Sequence, residues 1–147
     1  MNKKLQFLLY LIFFVGCSRI VDEDTLIEKS SIKYLKGSSV PFSGNVTANY
    51  DSGQERVKGN YINGKRDGPW IFSYKNGNVS EKGEYSLGKE TGDWNNWHES
   101  GILNSKGSYV NGMKEGLWKY WHNNGTKEKE INFVEGKESG QSRGWYF

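Results

Sequence analysis

The sequence has a single cysteine, Cys17, only two prolines and only two histidines. One thiol cannot close an intrachain disulfide. Nor can it supply the two or more cysteines of the usual structural zinc sites. Long apolar runs are scarce. The one present, Leu5 to Val15, covers eleven residues and is broken by Gln6. As a helix it would reach roughly 16 Å, against a hydrocarbon core of about 30 Å, so a secretory signal is expected rather than a membrane-spanning helix. An excess of one charge is missing as well. The formal +3 includes Lys3 and Lys4, and without them 18 basic residues face 17 acidic ones. That balance gives no strong electrostatic case for nucleic acid or for an anionic membrane surface.

What the sequence does have is aromatics and glycine: 22 Phe, Trp or Tyr and 19 Gly in 147 residues. This mixture suits strands joined by tight turns. It does not suit a helix bundle, rich in Ala and Leu, nor a disordered chain, poor in aromatics.

The glycines fall on one period. Gly44, Gly68, Gly92, Gly116 and Gly140 are each 24 residues apart, as are Gly53, Gly77, Gly101 and Gly125. Gly64, Gly88, Gly112 and Gly136 keep the same interval, and so do Gly59, Gly83 and Gly107. Within the period YINGKRDGPW (Tyr61 to Trp70) returns as YSLGKETGDW (Tyr85 to Trp94) and YVNGMKEGLW (Tyr109 to Trp118), with a worn copy from Phe133. Each unit has two turn zones, one of the NGKRDG type and one of the KNGN type. Asn-Gly supplies the positive φ angles of hairpin turns. Between the turns the residues alternate with period two: Trp70, Phe72 and Tyr74 share one face. The pattern predicts two antiparallel strands per repeat.

Equivalent residues of successive repeats then lie about 10 Å apart. Trp70, Trp94 and Trp118 are expected in one column, and Tyr61, Tyr85, Tyr109 and Phe133 in a second on neighbouring strands. Gly59, Gly83 and Gly107 leave room for a ring from the next strand. A hairpin of this kind cannot bury its apolar face alone and needs neighbours.

The pattern Y-x-N-G-K-x-x-G-x-W resembles the MORN repeat, in the variant common in bacteria, including proteins labelled YwqK-family antitoxins. The resemblance covers about Val40 to Gly140. It implies an all-β fold: an elongated, single-layer antiparallel meander of tandem 24-residue hairpins, used for interaction rather than catalysis. Its structural repeat residues are Tyr61, Gly64, Gly68, Trp70, Tyr85, Gly88, Gly92, Trp94, Tyr109, Gly112, Gly116 and Trp118. The worn outer copies fit capping units, and the terminal GWYF is expected to cover the last edge strand.

At the N-terminus Cys17 follows Gly16 directly, and FVGC resembles the lipobox of bacterial lipoproteins. The resemblance implies acylation of Cys17, anchoring in the cell envelope, and, from Ser18, an outer membrane rather than an inner one. The expected organisation is a signal peptide over 1–16, a lipid-anchored tether over 17–36 and a repeat domain over 37–147. Its repeats lie near 37–58, 59–82, 83–106 and 107–130, with a partial one over 131–147. A short helix over Asp24 to Lys29 is a further expectation.

Chemistry has weak candidates. Gly83 to Glu90 and Gly59 to Arg66 imitate a phosphate-binding loop. Each lacks the Ser or Thr that would hold magnesium, and each falls on a hairpin turn. Glu81, Glu84, Glu90, Glu99 and Glu115 are scattered, not paired in a cleft. His98 and His122 share a repeat position with Tyr50 and Tyr74, where His reads as a half-polar replacement for Tyr. No cofactor, metal or catalytic residue is called for. The contact candidates are Trp97 and Trp121, on the face opposite the Trp column with Ile71 nearby, joined by Tyr74, His98 and His122. Partly exposed rings of this kind mark binding surfaces. A protein partner is expected, with a glycan as the alternative ligand. An antitoxin or immunity role is the alternative function.

Overall fold

The computed structural model describes residues 20–140 and 142–145. The expected signal peptide and Cys17 lie outside them, as do the last two residues of GWYF. Among the described residues there is no α-helix, and fourteen strands form one twelve-stranded sheet and a separate two-stranded hairpin.

In chain order the strands are β1 (Val21–Asp22), β2 (Leu26–Lys29), β3 (Ile32–Leu35), β4 (Gly44–Asn49), β5 (Glu55–Ile62), β6 (Lys65–Arg66), β7 (Gly68–Ser73), β8 (Val79–Ser86), β9 (Lys89–Trp97), β10 (Leu103–Val110), β11 (Met113–Trp121), β12 (Lys127–Val134), β13 (Lys137–Glu138) and β14 (Arg143–Gly144). The sheet runs β1-β4-β5-β7-β8-β9-β10-β11-β12-β13, with β6 on β5 and β14 on β12. From β4 onward every pairing is antiparallel, so the expected meander of hairpins is the observed fold. The last edge is partly covered as expected. Gly144 pairs with Lys129, and the Trp145 amide donates to the Glu128 carbonyl at 2.9 Å.

Both turn zones take positive φ angles, the second at Gly53, Gly77, Gly101 and Gly125. Asn63-Gly64, Leu87-Gly88, Asn111-Gly112 and Glu135-Gly136 each have two consecutive positive φ angles, the signature of a two-residue I′ hairpin. Each turn leans on the repeat before it: the amides of Gly64, Gly88, Gly112 and Gly136 donate to the carbonyls of Phe42, Arg66, Glu90 and Lys114.

The core is a single ladder, not two separate columns. Phe42, Tyr61, Trp70, Tyr85, Trp94, Tyr109, Trp118 and Phe133 follow one another edge-to-face, with centroids 5.1 to 6.4 Å apart. Alternation of Tyr and Trp lets each ring present its edge to the next ring's face, and such pairs add about 0.5–1.5 kcal/mol each beyond burial. Trp70, Trp94 and Trp118 are 0, 3 and 1 % exposed. Their indole Nε1–H groups donate to the carbonyls of Asn60, Glu84 and Ser108 at 3.1 to 3.2 Å, so no polar atom is stranded.

The N-terminal segment differs from the expected tether. Val21 to Leu35 are folded: β1 adds in parallel to β4, a single 3-10 turn covers Glu23–Thr25, and β2 and β3 form a hairpin. The expected helix over Asp24 to Lys29 is a turn followed by a strand. The physical reason is that this segment completes the first repeat. Leu26 enters the core, the Lys33 amide bonds the Gly64 carbonyl at 2.9 Å, and Tyr61 donates to Glu23 at 2.9 Å. Arg56 pairs with Asp24 at 2.6 Å.

Candidate functional site

Period-two alternation along the strands leaves the sheet with two unlike faces. The inner face carries the aromatic ladder and is largely closed by its own side chains. Arg66 lies over Trp70 with Cζ 4.5 Å from the centroid, and Lys114 over Trp118 with Nζ at 4.2 Å. Phe72 stacks on Trp70 at 5.8 Å. These cation–π lids shield the rings from water. Glu23 sits 3.6 Å from Arg66, whose other Nη donates to the Tyr85 hydroxyl at 3.3 Å. Burial raises the Tyr61 phenol to about 12, and it raises Tyr85 and Tyr109 as well.

The outer face carries the contact candidates. Trp97 pairs directly with Leu103 and Trp121 with Lys127, each beside a bulge in the hairpin. Both rings are partly exposed, as is Ile71, and Leu117 on β11 is 49 % exposed. The Lys106 Nζ lies 5.9 Å from the Trp121 ring centroid. Asp93, Asn95, Lys106, Leu117 and Lys119 line a shallow open hollow on this face.

Tyr74, His98 and His122 are placed differently. The Tyr74 hydroxyl donates to the Trp97 carbonyl at 2.7 Å, and the Tyr50 hydroxyl to that of Ser73 at 2.8 Å. His98 Nε2 makes the same bond to the Trp121 carbonyl at 2.8 Å. A carbonyl only accepts, so the ring carries its proton on Nε2. The shared Tyr/His position is therefore a staple between consecutive repeats, which accounts for His standing where Tyr stood. His122, in the last full repeat, is exposed. Among the described residues no group of three or more His, Cys, Asp or Glu is arranged to hold a metal ion.

Two features of the site are not evident from the repeat pattern. One is the inter-repeat staple, whose signal was a donor side chain recurring at 50, 74 and 98. The other is Lys58, Lys82 and Lys106, each directly before a strand glycine and each exposed.

A search of curated proteins finds no match to the chain. The profile of the MORN repeat variant matches residues 66–86, 90–111 and 114–135, each unit beginning at the Arg66, Glu90 or Lys114 position and ending at the next I′ turn. Residues 66–135 are thus similar to three consecutive MORN repeat variants, a unit generally associated with binding.

Proposed function

We propose that the protein is a non-catalytic binding scaffold that engages its partner through the outer face of the repeat sheet and is held at a bacterial envelope membrane by acylated Cys17. The observation that carries the reading is the division of the aromatics. The inner ladder is buried against itself, whereas Trp97, Trp121 and Leu117 stay partly open on the other face. Large rings left open beside polar residues are what interface centres use. Glu81 and Glu84 share β8 but point to opposite faces, and Glu90, Glu99 and Glu115 lie on β9, a turn and β11, which supports binding over acid–base chemistry.

The anchor rests on the sequence, with the only cysteine at the place a lipobox requires. Several acyl chains on one residue hold a protein stably at a bilayer. Ser18 favours the outer membrane. A protein is the first partner to seek and a glycan the second.

The test has two parts. Labelled palmitate should enter the chain and vanish with Cys17→Ser, which should also release the protein from the membrane fraction. Affinity capture from envelope extract should lose its partner with Trp97→Ala plus Trp121→Ala. Equal recovery would remove the outer face as the contact surface. Recovery of a toxin whose activity the chain suppresses would make the scaffold an antitoxin or immunity protein.

A further inference from the structure

Cross-strand pairing aligns one row of side chains across the outer face: Thr47, Lys58, Ile71, Lys82, Asn95, Lys106, Lys119 and Glu130 are successive partners. Strands are about 4.8 Å apart, so Lys58, Lys82 and Lys106 stand about 10 Å apart, with Lys119 one strand further. None of these four lysines makes an ion pair among the described residues. The acidic residues near them on this face are Glu55, which accepts from the Thr47 hydroxyl at 3.2 Å, Glu84, Asp93 and Glu130. Asp93 already accepts from the Ser108 hydroxyl at 2.7 Å, and Glu130 pairs with Lys127 at 2.9 Å. The row is a line of unpaired cations bordered by Trp97, Trp121 and Leu117.

We propose that this row binds an acidic linear polysaccharide carrying one carboxylate per disaccharide. The proposal rests on the outer face being the contact surface. Spacing decides between the two polyanions that fit the charge. An extended peptide puts same-face side chains about 7 Å apart, out of step with cations about 10 Å apart. Two linked sugar rings span about the width of two strands, so a carboxylate on every second ring stays in step with the lysines. The Trp97 and Trp121 rings offer flat apolar surface to the C–H face of a sugar. Asp93 and Asn95 in the shallow hollow can bond its hydroxyls.

The experiment is titration calorimetry of the full chain, in neutral detergent, with sodium hyaluronate, which has one carboxylate per disaccharide. Dextran and poly-L-glutamate are the comparison polymers. Hyaluronate should bind in low salt, and Lys82→Gln plus Lys106→Gln should weaken it roughly 10-fold. Trp121→Ala should weaken it too, and dextran should not bind measurably. Both lysines are exposed, so an unchanged near-ultraviolet dichroism spectrum should show that the folded ladder survives their replacement. Poly-L-glutamate binding as well as hyaluronate would overturn the assignment in favour of an acidic peptide. Absence of hyaluronate binding, or binding indifferent to the lysines, would overturn it outright. If envelope capture still depends on Trp97 and Trp121 in that case, the scaffold reading stands and only the polysaccharide falls. If it does not, both fall.

Discussion

The indole of Trp94 rests on the backbone of Gly83 so closely that a Cβ on Gly83 would come 2.2 Å from Trp94 Cδ2. Gly59 stands in the same relation to Trp70 and Gly107 to Trp118, at 2.2 and 2.3 Å. Two of the three also stand opposite a second glycine, whereas Trp118 pairs with Ile131. Trp70 is the direct cross-strand partner of Gly83, and Trp94 of Gly107. At Trp70 and Trp94, absent side chains on both sides let a single-layer sheet bury a tryptophan.

Gly83→Ala should therefore be costly. The methyl would push the indole from its slot, an overpacking typically costing about 1–3 kcal/mol. Chemical denaturation should show that loss, and the ladder's near-ultraviolet dichroism should fall with it. In the Trp94→Leu background the same substitution should cost less. Equal costs in both backgrounds would deny the contact.

The turn at Leu87 should be improvable. Leu87 has φ +51° and is 66 % exposed, whereas the equivalent positions 63 and 111 hold Asn. A left-handed conformation costs an ordinary L-residue about 1–2 kcal/mol, and Asn bears it better. Leu87→Asn should raise the melting temperature by a few degrees, read by thermal dichroism. A lower value would show that Leu87 is held by packing.

Gly64 should be the most sensitive of the I′ turn glycines. A Cβ there would meet Ile32 Cγ2 at 2.4 Å and the Lys33 carbonyl at 2.7 Å, while at Gly88 and Gly136 the nearest atom is 3.5 Å away. All three have positive φ, so backbone strain is common to them and only the clash differs. Gly64→Ala should exceed Gly136→Ala in destabilisation by at least about 1 kcal/mol. Equal losses would mean that the N-terminal hairpin is not seated on the turn.

Alkali should unfold the protein through Tyr61. Its folded value of about 12 lies above the ordinary 10.0 because burial disfavours the phenolate. The folded state holds its proton where the unfolded state has lost it. The contribution is complete below about pH 10 and disappears as pH rises towards 12. Denaturation midpoints between pH 9 and 12 should fall accordingly, and Tyr61→Phe should flatten part of the fall.

Much of the fold was legible because glycine and tryptophan recur where the backbone demands them. Asn63-Gly64 and Asn111-Gly112 announce their turns, and the glycines two residues before each Tyr announce the slots. The β2–β3 hairpin was not legible. It turns on Ser30 and Ser31, both at positive φ, and the segment lies outside the 24-residue period. The Tyr74 and His98 staples join a side chain to a backbone carbonyl, which residue identity alone does not reveal. The lysine row was hidden by the near-neutral total charge, because register, not composition, brings Lys58, Lys82, Lys106 and Lys119 into line.

Photo-cross-linking asks most directly which face meets the partner. A cross-linking amino acid placed at Leu117, exposed on the outer face, or at Glu81, exposed beside the inner ladder, would be activated in envelope extract. The account predicts a discrete adduct from position 117 and none from position 81. An adduct from 81 without one from 117 would contradict it.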